Sequence, residues 1–138
     1  MNADRKLKNL LLVDDEKTDL TLMERSFAKS APDLRIETCQ GSENAVEQIT
    51  HGKADIVLLD INMPGLNGFD VLRRARESRP GTFPTVIMLS NSEDPKDIER
   101  SYSEGASAYV VKPSSMRGYK QLAESVEMFW CNVVARPV

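Results

Sequence analysis

Three carboxylates, one hydroxyl and one amine recur at comparable places along this chain. Asp14 and Asp15 close the apolar run that ends at Val13. Asp60 closes the run from Ile56, Ser90 closes PTVIMLS, and Lys112 follows AYVV. Crowded carboxylates repel, and without a counter-charge at least one would hold its proton near neutral pH. A divalent cation relieves that repulsion. Mg²⁺ takes oxygen ligands, keeps several waters and is usually held by one or two carboxylates plus phosphate oxygens. The set therefore predicts a Mg²⁺ site with Asp15 and Asp60 as direct ligands and Asp14 bound through water. The backbone carbonyl of Asn62 could add a further ligand.

A metal site completed by a phosphoryl group suits phosphoryl transfer, which needs positioning and charge neutralisation more than covalent help. Asp60 stands alone at the end of its apolar run and is the predicted nucleophile, giving an acyl phosphate. Lys112, a point charge on a flexible stem, would hold one phosphoryl oxygen. The Ser90 hydroxyl would donate to another. Acids are common in loops, but four separate segments delivering matched groups to one edge is a stronger coincidence than loop polarity gives.

The elements that must position these groups follow from periodicity. Buried strands are predicted over Lys8 to Asp15, Asp55 to Asp60 and Pro84 to Ser90, a further strand over Ala106 to Lys112, and an exposed strand over Leu34 to Cys39. Helices are predicted over Thr18 to Ala31, Ser42 to His51, Gly68 to Arg79, Asp94 to Glu104 and Ser115 to about Ala135. Ser42 is the expected N-cap of the second helix, and Gly52 its C-terminal residue. Strands alternating with helices imply parallel strands, right-handed crossovers and an open three-layer α/β sandwich. Ligands of such sheets bind outside the carboxyl ends of the strands, where all five groups are expected to meet.

The bulk properties bound the alternatives. The chain has 138 residues, which suits one domain over 1–138. Its net charge is −3, with Lys and Arg scattered, so no nucleic-acid partner is expected. Arg73, Arg74, Arg76 and Arg79 cluster on one predicted helix, read first as a solvated face and second as a docking patch. No apolar run approaches the roughly 18 residues of a membrane helix, and the amino terminus carries no signal-peptide pattern, so no membrane and a cytoplasmic location are expected. Cys39 and Cys131 fit no metal or redox spacing and read as free thiols. No repeat or low-complexity segment stands out.

The motifs LLVDDE (11–16), LLDINMPGLNG (58–68), MLSNS (88–92) and GASAYVVKP (105–113) together resemble the receiver domain of two-component response regulators, in family order and over nearly the whole chain. The resemblance implies a flavodoxin-like, doubly wound, five-stranded parallel sheet in the order 2-1-3-4-5 with five helices. It implies that Asp60 is the phosphoacceptor, that Asp14 and Asp15 are the metal-binding acidic pair, and that Ser90 is the switch hydroxyl. Lys112 matches the family's lysine, and its bond to Pro113 is expected to be cis. Tyr109 stands where an aromatic residue changes rotamer with the switch; packing as an edge-strand aromatic is compatible with that role. Two positions depart from the pattern: Asn91 after the switch hydroxyl and Ser114 after Pro113, where a small and a large apolar residue are usual.

The last helix repeats Tyr119, Leu122, Ala123, Val126, Phe129, Trp130, Val133 and Val134 at helical spacing, with Met128 widening the stripe. Its ending resembles stand-alone regulators paired with phytochrome-type histidine kinases, which dimerise through their last helices. Expected partners are thus a sensor histidine kinase, a downstream protein, and a second copy through the last helices at about 115–138. With the chain ending soon after that helix, output is expected from binding on the face of the fourth helix, fifth strand and last helix. The competing reading is a Mg²⁺-dependent phosphohydrolase that forms an aspartyl phosphate. It generally wants a second acid two residues after the nucleophile, where Asn62 stands. A nucleotide- or flavin-binding domain would need a glycine-rich loop where Asp14-Asp15-Glu16 stands. His51, beside Gly52, reads as a solvated cap residue.

Overall fold

Five short strands of mostly Val, Ile and Leu stack side by side in the computed structural model, which describes residues 9–133. They are β1 (Asn9–Asp14), β2 (Arg35–Gln40), β3 (Ile56–Asp60), β4 (Thr85–Ser90) and β5 (Ala108–Val111). All pairings are parallel, and the order is β2-β1-β3-β4-β5. Each strand is followed by a helix: α1 (Lys17–Ser30), α2 (Ala45–His51), α3 (Gly68–Ser78), α4 (Pro95–Ser103) and α5 (Met116–Val126).

The period-2 geometry of a strand sends alternate residues to opposite faces, and both faces here are apolar. Leu11, Val13, Val57, Leu59, Val86 and Met88 pack with Ile49 of α2 and Phe69, Val71 and Leu72 of α3. Leu10, Leu12, Ile56, Leu58, Ile87 and Leu89 pack with Met23 and Phe27 of α1 and Tyr119, Leu122 and Val126 of α5. Central β3 is buried along its whole length, whereas edge strand β2 buries only Cys39. Complete burial of one such side chain stabilises by about 1.5–3 kcal/mol. The two faces therefore hold the sheet rigid beneath whatever stands on its carboxyl edge.

Several boundaries differ from the sequence reading. α2 starts at Ala45 after Asn44, with no side-chain cap. Ser42 is instead committed to the β3–α3 loop: its hydroxyl donates to the Pro64 carbonyl and accepts from the Leu66 amide. Gly52 has an ordinary negative φ. It is required by space, because a Cβ there would lie 2.2 Å from the Gln48 carbonyl oxygen. α4 is capped by Asp94, whose carboxylate accepts from the Lys96 amide. β5 covers only Ala108–Val111, so Lys112 stands just beyond the strand. The Lys112–Pro113 bond is trans, contrary to expectation; trans is the form X–Pro bonds prefer by about 0.5–1 kcal/mol.

The last helix is not one regular helix. α5 ends at Val126, and Glu127–Val133 winds as a π-helix. The wider turn breaks the 3.6-residue stripe, leaving Met128 and Phe129 exposed while Trp130 and Cys131 are half-buried against the α1–α5 core. Val134 and the stretch to Ala135 lie outside the described residues. Arg73, Arg74 and Arg76 of α3 are exposed, as a solvated face requires, and three of the four arginines have partners. Arg73 pairs with Asp70 at 2.8 Å. Arg76 donates to the Gly105 carbonyl and lies over the Phe83 ring, and Arg79 donates to the Ile49 carbonyl.

Candidate functional site

The carboxyl ends of β1, β3 and β4 deliver Asp14, Asp60 and Ser90, and all three are buried. β1 and β3 are direct neighbours, in register from Leu10↔Ile56 to Val13↔Leu59. Their terminal acids therefore lie side by side. Asp15, one residue further, is half-buried, and single carboxylate oxygens of Asp14, Asp15 and Asp60 lie within 4.8 Å of one another. Lys112 reaches in from the end of β5 with only 5% of its side chain exposed. Its Nζ lies 2.8 Å from Asp14 Oδ2, 3.0 Å from Asp19 Oδ2 and 3.6 Å from Asp60 Oδ2.

Local backbone fixes the rest. Glu16 N donates to Asp14 Oδ1, and Asn62 N donates to Asp60 Oδ1 at 3.3 Å. The Asn67 side chain caps α3 by accepting from the Asp70 amide. Gly68 must be glycine for close approach, since a Cβ there would sit 2.5 Å from the Asp60 carbonyl oxygen. Gly65 adopts φ +81°, which L-residues rarely reach, so the β3–α3 turn can fold back over Ser42.

The electrostatics follow from burial. Desolvation, together with the Asp14 charge, pushes the Asp60 carboxyl up to about 7 against the pull of Lys112. For Lys112, burial works against the charge. The Asp14 and Asp19 carboxylates overcome it and hold the ammonium well above the usual lysine range. Two acids thus compete for one amine while a third stands beside them. The donor set fits a hard cation, being all oxygen without nitrogen or sulfur. Two oxygens bound directly to one Mg²⁺ can be no more than about 4.2 Å apart. A spread of up to 4.8 Å asks for a small closure or for one ligand bound through water.

Beside the acids runs a polar chain. The Asn62 amide donates to Ser90 Oγ at 3.2 Å, and the Ser92 amide donates to the same oxygen at 3.1 Å. Ser92 in turn takes the Tyr109 hydroxyl on its carbonyl at 2.6 Å and the Asp94 amide on its Oγ. The Asn62 side chain, where a phosphohydrolase would want an acid, is thus an amide bonded to Ser90. Asn91 and Ser114 are exposed.

The structure brings together Asp14, Asp15, Asp60 and Lys112, with Ser90, Asn62 and Tyr109 joined in the neighbouring chain. Sequence reasoning missed Asp19. It lies in the first turn of α1, and its second oxygen accepts from the Tyr119 hydroxyl at 3.1 Å. Burial, with the Asp19 charge, pushes the Tyr119 phenol up to about 12. Asp19 reads as ordinary first-turn acidity; only the packing of α1 on α5, a hundred residues away, reveals it. Neither thiol enters the site. Burial raises Cys39, and burial with Glu127 and Asp55 pushes Cys131 up to about 11.

Comparison with known proteins agrees with this geometry. The response regulator receiver domain family matches residues 10–124. The transcriptional regulatory protein AfsQ1 of Streptomyces coelicolor is 32% identical over 107 residues, covering 78% of this chain but 45% of that protein. This chain therefore spans less than half of that relative's length. Among solved structures, the response regulator RPA3017 in red light signaling of R. palustris is 30% identical, covers 96% of this chain and 99% of that one, and superposes with a TM-score of 0.82. The phosphorylated cyanobacterial phytochrome response regulator RcpA is 25% identical, with coverages of 96% and 99% and a TM-score of 0.81. Receiver domains are phosphoacceptors for histidine kinases and bind Mg²⁺ in an acidic pocket such as the one at Asp14, Asp15 and Asp60. With the sheet order, the acidic pocket and the family match in agreement, the chain belongs to the response regulator receiver domains of two-component systems.

Proposed function

We propose that Asp60 accepts a phosphoryl group from the phosphohistidine of a sensor histidine kinase, and that this resets a protein-binding face. One observation carries the reading: three carboxylate oxygens within 4.8 Å of one another, with Lys112 Nζ 3.6 Å from Asp60 Oδ2. Mg²⁺, when bound, supplies the positive charge that lets three carboxylates and a phosphoryl group share the pocket. Asp15 and Asp60 would hold it directly, Asp14 through water, and the Asn62 backbone carbonyl would complete its protein ligands. A carboxylate oxygen of Asp60 forms the O–P bond as the P–N bond of the donor breaks, and the imidazole leaves. Lys112 then holds one phosphoryl oxygen and the Ser90 hydroxyl another.

Ser90 is the pivot of the switch. Its O–H is free to donate to a phosphoryl oxygen, and a shift of Ser90 toward Asp60 would pull on the Asn62 and Ser92 amides that it accepts from. Ser92 carries both the Tyr109 hydroxyl and the N-terminal entry to α4, so α4 and β5 would register the change. The kinase is proposed to be phytochrome-type, which the likeness to RcpA and RPA3017 supports. A downstream protein would bind the α4–β5–α5 face, and Met128 and Phe129, exposed just beyond α5, support a second copy meeting the chain through its last helix.

The test is direct. With phosphoramidate and Mg²⁺, intact-mass analysis should show one phosphoryl group on the parent and none on Asp60→Asn. Full labelling of that variant would overturn the assignment.

A further inference from the structure

We propose that Asp19 is a positioning residue that competes with the phosphoryl group for Lys112 and, through Tyr119, ties that competition to the packing of α1 on α5. The inference rests on Asp60 being the acceptor, and it adds a residue outside the acidic trio. The Lys112 ammonium has three donors. Its two closest acceptors are Asp14 Oδ2 at 2.8 Å and Asp19 Oδ2 at 3.0 Å, while Asp60 Oδ2 stands off at 3.6 Å. Lys112 is thus held on the α1 side of the pocket. Its third donor can take an oxygen of a group carried on Asp60, but the two near carboxylates hold Nζ toward α1, so a shift toward that group lengthens one of the near contacts.

Asp14 is fully buried and anchored by the Glu16 amide, and it belongs to the acidic trio. Asp19 is the partner that can yield. Its side chain is 28% exposed, so water can replace the lost ammonium. Its other oxygen already accepts from Tyr119, which is 3% exposed and packed among Met23, Phe27 and Ala123. One carboxylate therefore joins α1, the segment after β5, and α5. A shift of Lys112 changes the load on the Tyr119 hydroxyl, which offers a route from the pocket to α5 distinct from that through Ser90 and Tyr109.

The test measures binding of beryllofluoride at saturating Mg²⁺, and of Mg²⁺ alone, by titration calorimetry. Asp19→Asn keeps the shape and removes the charge. Lys112 is then free for the phosphoryl mimic, and beryllofluoride should bind about three- to fivefold tighter, the worth of one partly exposed ion pair. Mg²⁺ alone should bind more weakly by a similar factor, because the freed ammonium leans toward Asp14 and Asp60. Asp19→Glu should restore parental behaviour toward both. Tyr119→Phe leaves Asp19 with Lys112 as its only partner among the described residues, so beryllofluoride should bind more weakly. A purely structural role for Asp19 would weaken both ligands together. That result, or unchanged beryllofluoride binding in Asp19→Asn, overturns the proposal. A parent that binds no beryllofluoride at all would instead sink the phosphoacceptor reading.

Discussion

Asp60 is buried beside Asp14, and both circumstances push its carboxyl toward the neutral form, to about 7. The sign of the consequence is fixed. The folded chain keeps a proton that the unfolded chain releases near pH 4. Stability from this group is therefore full below pH 4 and lost as pH rises through 7. The penalty at pH 8 is on the order of 2–4 kcal/mol. In chelator, Asp60→Asn should accordingly be more stable than the parent at pH 8 by that order, with the gap closing toward pH 4. Thermal melts across pH check it, and a gap that widened on acidification would refute the charge argument. Mg²⁺ at a hundredfold excess over its dissociation constant should return roughly 3 kcal/mol to the parent and little to the variant. At this scale the sequence was informative where chemistry sits at a strand end, as with Asp14, Asp60 and Ser90. It was silent where a polar helix residue gains its role from distant packing, as with Asp19 and Tyr119.

The turn from β3 into α3 controls where the Asp60 backbone lies. Asn67 caps the helix, and Gly68 lets its first turn pass against the Asp60 carbonyl. Gly68→Ala would drive a Cβ to 2.5 Å from that oxygen and 2.8 Å from Ile61 Cα. It should cost about 1–3 kcal/mol in urea melts, as overpacking does, and slow phosphorylation by phosphoramidate. Asn67→Ala removes only the cap. It should cost about 1 kcal/mol with the phosphorylation rate nearly unchanged. A parallel loss of rate in both variants would show that helix stability, not backbone placement, matters. The central strands were legible as continuous apolar runs because both faces of the sheet are covered, and most helices by a single apolar stripe, while β2 and α4 carry weaker patterns. The exceptions share a cause. Ser42, Lys112 and the π-helical end are set by what they touch across the fold: the β3–α3 loop, the acids at the ends of β1 and β3, and the α1–α5 core. No local pattern encodes those contacts.

The whole molecule presents an uneven surface. Tyr102 on α4, Val111 at the end of edge strand β5, and Met128 and Phe129 beyond α5 are all large, apolar and exposed. α4 buries only Ser101 fully, fewer residues than any other α-helix among the described residues. It is also the one whose N-terminus is joined to Ser90 through Ser92. A partner that grips α4 therefore meets the helix with the fewest fully buried residues. The Phe129 ring packs edge-on against Trp130, 5.1 Å between centroids, and so is presented in a fixed orientation. A specific interface usually buries more than about 1,200 Å² and rests on a few such anchors. If two copies meet here, sedimentation velocity should show a concentration-dependent dimer for the parent and a monomer for Phe129→Asp. Beryllofluoride with Mg²⁺ should change the dimer constant. By linkage, protein concentration must then change beryllofluoride affinity by the same factor. A parent that stays monomeric at about 100 μM, with and without the mimic, would remove the second copy as the occupant. The face would then be left to another protein, since that concentration far exceeds the micromolar constants of weak specific pairs.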